Sequence, residues 1–463
     1  MSITSRTRTA AWASACAITA VALAGCATGG TSSGNPPANA TSPDAATSSE
    51  PSASGAAGTE SSAPAELSGE ITVWSWDVAA EGMKRLAPEF EKAHPGTTID
   101  VVDIGYDNAY DKISVGLQAN AGLPDVITVE TDHMPGYIAA FPNGFTDLAP
   151  AVGDQKADFD PSKWDASSDA AGHLYSVPWD SGTVALYYRS DYLKEAGVDP
   201  TTLTTWDDLV AAGEKVKAAT GHTLMSIDVS SGGTFLMLLQ EQGAGIFDAN
   251  GDIAVSGPAA VRALTLLKTI HDKGLLDNVK GWDGRVTATK EGKSAFHPEA
   301  VWWIGTLTGE MPELSGKFGV VKLPVFDSGE SGTSNNGGST LAVPSQAKNP
   351  ALATAFVTWL LANTDNQVSM MKNEGLFPSY LPALRDPFFH QADPYFGGEK
   401  VYELFGDLTS TIPSINYTQD YAKATDIVAN SVVASVINGK DPKAALDDAA
   451  QQIATATGRK IAG

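Results

Sequence analysis

Tyr175 to Arg189 reads YSVPWDSGTVALYYR, and the change of character at its centre decides the fold. Its first half is polar and glycine-containing, with Trp179 and Asp180 side by side. Its second half, Thr183 to Tyr188, is a run of β-branched, aliphatic and aromatic residues with the composition of a buried strand. A ring and a carboxylate on a loop that feeds a core strand suit a rigid scaffold presenting binding groups at its edge. A Trp packed beneath an ordinary loop gives the same pattern, so this segment alone leaves both readings open.

Upstream, strand-like and helix-like segments alternate. ITVWSW, residues 71–76, predicts a strand, and Glu81 to Ala93 spaces Met83, Leu86 and Phe90 for a helix that Pro95-Gly96 stops. Thr98 to Val102 predicts a second strand, Asp111 to Ala121 a helix with Ile113 and Leu117 on one face, and DVITVE, residues 125–130, a third strand. The β-α-β-α-β order predicts an α/β fold with a parallel sheet covered on both faces, its ligands beyond the strand C-termini. Trp74, Trp76 and Glu130 stand at such ends. Downstream the pattern is mainly helical: Trp206 to Ala219, with Thr204 or Thr205 as N-cap, then Thr234 to Gln242 and Pro258 to Lys273. Strands are predicted at Glu299 to Ile304, carrying Trp302 and Trp303, at Phe318 to Phe326, and at Thr340 to Val343 after a Gly/Ser/Asn loop. Helices follow at Pro350 to Leu361, Asp365 to Lys372, Tyr421 to Gly439 and Pro442 to Thr457.

The N-terminus carries Arg6 and Arg8, a small apolar run from Ala10 to Ala24, and Leu23-Ala24-Gly25-Cys26. This is an export signal over residues 1–25, too short and alanine-rich to span a bilayer. Its end resembles the bacterial lipobox, in which cleavage exposes a cysteine that accepts a diacylglyceryl group, here Cys26. Residues 27–66 contain no Val, Ile, Leu, Met or aromatic residue. Such a segment cannot offset its ordering entropy by burial, so 26–66 is expected to be a lipidated, disordered tether. About 400 residues remain, enough for two or three domains.

Cys16 and Cys26 are the only cysteines, which excludes a disulfide, thiolate site or cysteine nucleophile from the folded part. The formal net charge of -24 argues against nucleic acid as a partner. The scattered histidines form no zinc motif, no G-x-S-x-G or G-x-G-x-x-G occurs, and Thr287 stands where a phosphate loop ending in Gly292-Lys293-Ser294 needs its first glycine. No cofactor or metal is expected. The positive signal is aromatic: Trp74, Trp76, Tyr106, Trp179, Trp302, Trp303, Phe377 and Tyr417 fall at predicted loop edges, twice beside a carboxylate (Trp76-Asp77, Trp179-Asp180). Sugar rings pack their C–H faces on such rings while carboxylates bond their hydroxyls.

The order of motifs resembles the extracellular solute-binding proteins of carbohydrate ABC importers, the maltose-binding-protein type. ITVWSWD with its helix ending AHPG, LPDVITVETD, VPWDSGTVALYYRSDYLKEAGVDPTTLTTWDDL, GVVKLPVF, NNGGSTLAVPSQAKNPALATAFVTWLL, NEGLFPSYLPAL and NGKDPKAALDDA are each similar to a stretch of that family, in the same order from Leu67 onward. The resemblance implies two lobes around a ligand cleft, residues 67–182 with 325–365 and residues 183–324 with 366–463. It implies ligand contacts at Trp74, Trp76, Asp77, Glu130, Asp132, Trp179, Asp180, Gly337, Gly338 and Ser339. In the second lobe Trp302, Trp303 and Tyr417 are the candidates, although family members often carry a Trp two residues after the glycine at 305, where Leu307 stands here. The expected protein is a non-enzymatic, monomeric, lipid-anchored receptor at the outer face of the cytoplasmic membrane. It would pass a sugar or oligosaccharide to a permease. A secreted glycoside hydrolase using paired carboxylates, and a receptor for a polyamine or other non-sugar solute, stay open as alternatives.

Overall fold

Residues 67–463 are described by the computed structural model; the expected signal peptide, Cys26 and the tether lie outside the described residues. The strands in chain order are β1 Gly69–Ser75, β2 Thr97–Asp103, β3 Val126–Glu130, β4 Ser176–Pro178, β5 Thr183–Arg189, β6 Met225–Ile227, β7 Leu276–Asn278, β8 Phe296–Ala300, β9 Phe318–Val321, β10 Ser334–Asn335 and β11 Ser339–Ala342. Two sheets matter for the site. The first has the order β2-β1-β3-β11-β4. Its β1 runs parallel to β2 and β3, as the alternation predicts, and β11 then enters antiparallel to both β3 and β4. In the second sheet β5 is central and pairs antiparallel with β8, β9 and β10.

Burial explains why β5 reads as an unbroken apolar run. Val184, Leu186 and Tyr188 enter one core cluster while Ala185 and Tyr187 enter another on the opposite face. Successive strand side chains point to opposite faces, so a strand covered on both sides shows no polar alternation. The first sheet is covered likewise. The helix Asp77–Ala93 packs Met83, Leu86 and Phe90 with Ile71 and Val73, and Ile113 and Leu117 pack with Ile127 and Val129 on the other face.

Some expectations shift. Thr205 is the N-cap of Trp206–Thr220, in a capping box with Asp208. The strand predicted to Ile304 stops at Ala300, and Trp303 opens the helix Trp303–Glu310. The strand from Phe318 stops at Val321, ahead of Pro324, which cannot donate to a ladder. Ser334 and Asn335, expected in a loop of the first lobe, pair with Val184 and Thr183 of the second sheet, so the return to the first sheet comes at 336–338 rather than 325.

The chain crosses between the sheets at 179–182, at 336–338 and at 377–379, and these segments lie side by side. Trp179 N–H donates to Ser339 O (2.9 Å), Asn336 N–H to Gly182 O (2.8 Å), Ser181 N–H to Phe377 O (2.8 Å) and Ser379 N–H to Trp179 O (2.9 Å). Among the described residues no helix is long and apolar enough to cross a membrane.

Candidate functional site

A cleft of about 770 Å³ opens between the two sheets beyond the C-terminal ends of β1 and β3. One wall carries Trp76, Asp77 and Glu130, the floor carries Asp180 and Gly337 to Ser339, and the facing wall carries Trp282 and Trp302. A separate cavity of about 90 Å³, which shares Asn336 and Gly337 with the cleft, is lined by Asp132 and Tyr417.

Glu130 is the polar centre of the first wall. Its Oε2 accepts hydrogen bonds from the hydroxyls of Tyr106 (2.9 Å) and Tyr110 (2.5 Å). Trp76 meets Tyr106 edge to face at 5.6 Å and Tyr110 at 6.0 Å, so three rings and a carboxylate form one unit. Burial, and then the charge of Asp132, push the Glu130 carboxyl above its ordinary range. Asp77 stands at the cleft mouth with φ 46, a left-handed conformation that costs a non-glycine residue energy. Asp132 bonds His133 Nδ1 at 2.7 Å, and His133 stacks on Tyr110 at 4.0 Å. Among the described residues Glu130, Asp132 and His133 are the set whose donor atoms, within 4.8 Å of one another, could meet on a metal. Glu130 Oε2 and His133 Nδ1 are already spent on the tyrosines and Asp132.

The floor is held by groups that serve the crossing first. Asp180 Oδ1 accepts from Ser339 N–H at 2.7 Å, and burial pushes its carboxyl up. Lys163, buried on the helix Pro161–Ala166, donates to Asn335 Oδ1 (3.0 Å) and Gly337 O (2.7 Å). Burial pushes its ammonium down, against the opposing charges of Asp160 and Asp180. Gly337 and Gly338 have φ of 76 and 96, and a Cβ on Gly338 would lie 2.5 Å from Lys163 Nζ and 2.7 Å from Asp180 O. Only glycine fits there.

On the facing wall, the half-buried Trp302 donates its indole N–H to Asn336 O at 3.0 Å, tying the second sheet's side of the cleft to the crossing. Trp282, 44% exposed, lies 5.6 Å from it. Sequence reasoning missed both Trp282 and Lys163. For Trp282 a signal existed, because Trp282-Asp283 repeats the ring-and-carboxylate pairing of Trp76-Asp77.

Three expected contacts are corrected, and a fourth, the half-buried Trp74, is not among the residues lining the cleft. Trp179 is fully buried and shares the first sheet's core with Val177, two residues earlier on the same face, which turns Asp180 to the cleft instead. Trp303 is buried with Ile304 and Leu307 on the inner face of its helix. Phe377 is fully buried against Phe389, and only its backbone joins the crossing. Trp74 packs against the core beside Ile127 and Val129, on the opposite face of β1 from Val73. The structure brings together Trp76, Asp77, Glu130, Asp180, Trp302, Gly337, Gly338 and Ser339 around the main cleft, with Tyr106 beside Glu130, while Asp132 and Tyr417 line the separate smaller cavity behind Asn336 and Gly337.

Residues 76–367 match the bacterial extracellular solute-binding protein family. The chain belongs to this family. A lactose-binding protein of Rhizobium radiobacter is 30% identical over 364 residues, 76% of this chain and 85% of the relative. An arabinooligosaccharide-binding protein of Bacillus subtilis (strain 168) is 27% identical over 397 residues, 83% and 92% respectively. In fold, this solute-binding protein is similar to the GacH receptor of Streptomyces glaucescens GLA.O, with a TM-score of 0.75 at 21% identity over 85% of this chain and 100% of that one. Its architecture is the expected two-lobed α/β fold with the cleft between the lobes.

Proposed function

We propose that this solute-binding protein captures a sugar or oligosaccharide in the cleft, closes its lobes on it and delivers it to the permease of an ABC importer. The observation that carries this reading is a cleft lined by the largely buried Trp76 on one wall and by Trp282 and Trp302 on the other, around Glu130, a carboxylate gripped by two phenols. Ring faces would take the C–H faces of the sugar, while Glu130, Asp77, Asp132 and the polar backbone of Gly337 to Ser339 would take hydroxyls. The names of the two relatives, lactose-binding and arabinooligosaccharide-binding, support the ligand class. Closure would follow from contacts that only the closed form makes with both walls, with the crossings as the hinge. The first lobe would comprise residues 67–182 and 339–376, and the second the remaining described residues. In this role the protein is a binder rather than a catalyst.

A thermal-shift screen against mono- and oligosaccharides tests the reading, because a ligand that binds only the folded state raises the melting temperature by mass action. Trp302→Ala should then weaken the best saccharide about tenfold or more, tenfold being about 1.4 kcal/mol. Silence toward every saccharide together with a response to a polyamine would replace the ligand class. We further propose that Cys26 carries a lipid that holds the protein at the outer face of the cytoplasmic membrane. Cys26→Ser should move the protein from the membrane fraction to the medium, and continued membrane retention would remove the lipid anchor from the reading.

A further inference from the structure

We infer that Arg285 is a positioning residue that fixes Trp282 as a rigid wall of the cleft and so sets how tightly a saccharide ring stacks there. The inference rests on the saccharide reading of the cleft. Trp282 lies in the first turn of the helix Gly281–Lys290, and Arg285, three residues on, shares its face. The guanidinium carbon of Arg285 lies 5.6 Å from the ring centres of both Trp282 and Trp303, within the range of a cation–π attraction. Trp303 in turn meets Trp282 at 5.4 Å with its ring perpendicular. Trp282 is therefore backed by two indoles and a guanidinium while part of it stays open to the cleft.

The cation itself is anchored. Arg285 pairs with Glu299 on β8, whose side chain is 7% exposed. His297, two residues earlier on the same strand, is buried, and burial together with the Arg285 and Arg189 charges pushes its imidazole down to about 3. Strand β8, paired to the central β5, thus reaches through Glu299 and Arg285 to the strongly exposed indole of the cleft. An exposed ring held in this way meets a ligand without first losing rotamer freedom, which is how preorganisation raises affinity. Trp282 touches the ligand in this scheme; Arg285 acts through it.

The test pairs Arg285→Met with Glu299→Gln, so that no lone charge is left buried. Acrylamide quenching of tryptophan fluorescence in the unliganded protein should rise in this double variant, and the rise should vanish in a Trp282→Phe background, which isolates one indole among ten. Saccharide affinity should fall several-fold in the double variant and no further when Trp282→Phe is already present, since residues acting as one unit are non-additive. Arg285→Lys keeps the charge but loses the planar guanidinium, and serves if the double variant fails to fold; it should raise quenching in the same direction. Unchanged quenching, or losses of affinity that simply add, would overturn the role of Arg285. If the wild type binds no saccharide, the reading of the cleft fails while the quenching arm still decides what Arg285 does to Trp282.

Discussion

Trp179→Ala should cost about 3–5 kcal/mol of stability and leave the saccharide affinity of the folded protein close to wild type, the reverse of what its place beside Asp180 implies. The ring is fully buried among the residues that cover the first sheet, including Val177, Leu341 and Phe356. Its indole N–H has no hydrogen-bond partner, so the loss is one of packing and of the cavity left behind. Denaturant unfolding with titration of the ligand separates the two effects. Unchanged stability with weakened binding would put the ring in the cleft and overturn the assignment to the core.

Gly182→Ala is expected to cost about 3 kcal/mol, from a clash that no side-chain rotation can relieve. A Cβ at 182 would lie 1.9 Å from Asn336 O and 2.6 Å from Asn336 C, and Asn336 N–H already donates to Gly182 O at 2.8 Å. Both atoms belong to the backbone of the neighbouring crossing, so the two segments must separate. Saccharide affinity should fall as well, because Asn336 O also receives the Trp302 indole and Gly337 lines the cleft. Gly305→Ala is the matched control on the cleft wall: its Cβ would meet Glu374 O at 3.7 Å, an ordinary contact. A wild-type melting temperature for Gly182→Ala would show that the crossings do not pack as closely as described.

Much of the first lobe was legible because its helices and strands carry one-dimensional signals. Met83, Leu86 and Phe90 recur at the helical period, and Val126 to Val129 form a short apolar run closed by the half-buried Glu130. The site was legible only as a population of rings beside carboxylates. Trp179 and Asp180 are adjacent in sequence and must face opposite ways on an extended chain, yet which of them turns to the cleft depends on the pairing of their segment with β11 and with 377–379. Trp302 and Trp303 posed the same choice, settled by the inner face of a helix where a strand had been expected. Lys163 carries no local signal at all, because Asn335 and Gly337 reach it only through the tertiary fold.

By itself, the sequence determined the α/β class, the double-sided burial of Thr183 to Tyr188, and the presence of a ring-and-carboxylate chemistry suited to sugars. Hydrophobic periodicity and composition are properties of short segments and survive without knowledge of the partners. Only the tertiary structure decided which rings face the cleft, that Trp282 joins them, and that a buried lysine holds the crossing, because those outcomes depend on pairing register and on contacts between residues far apart in the chain.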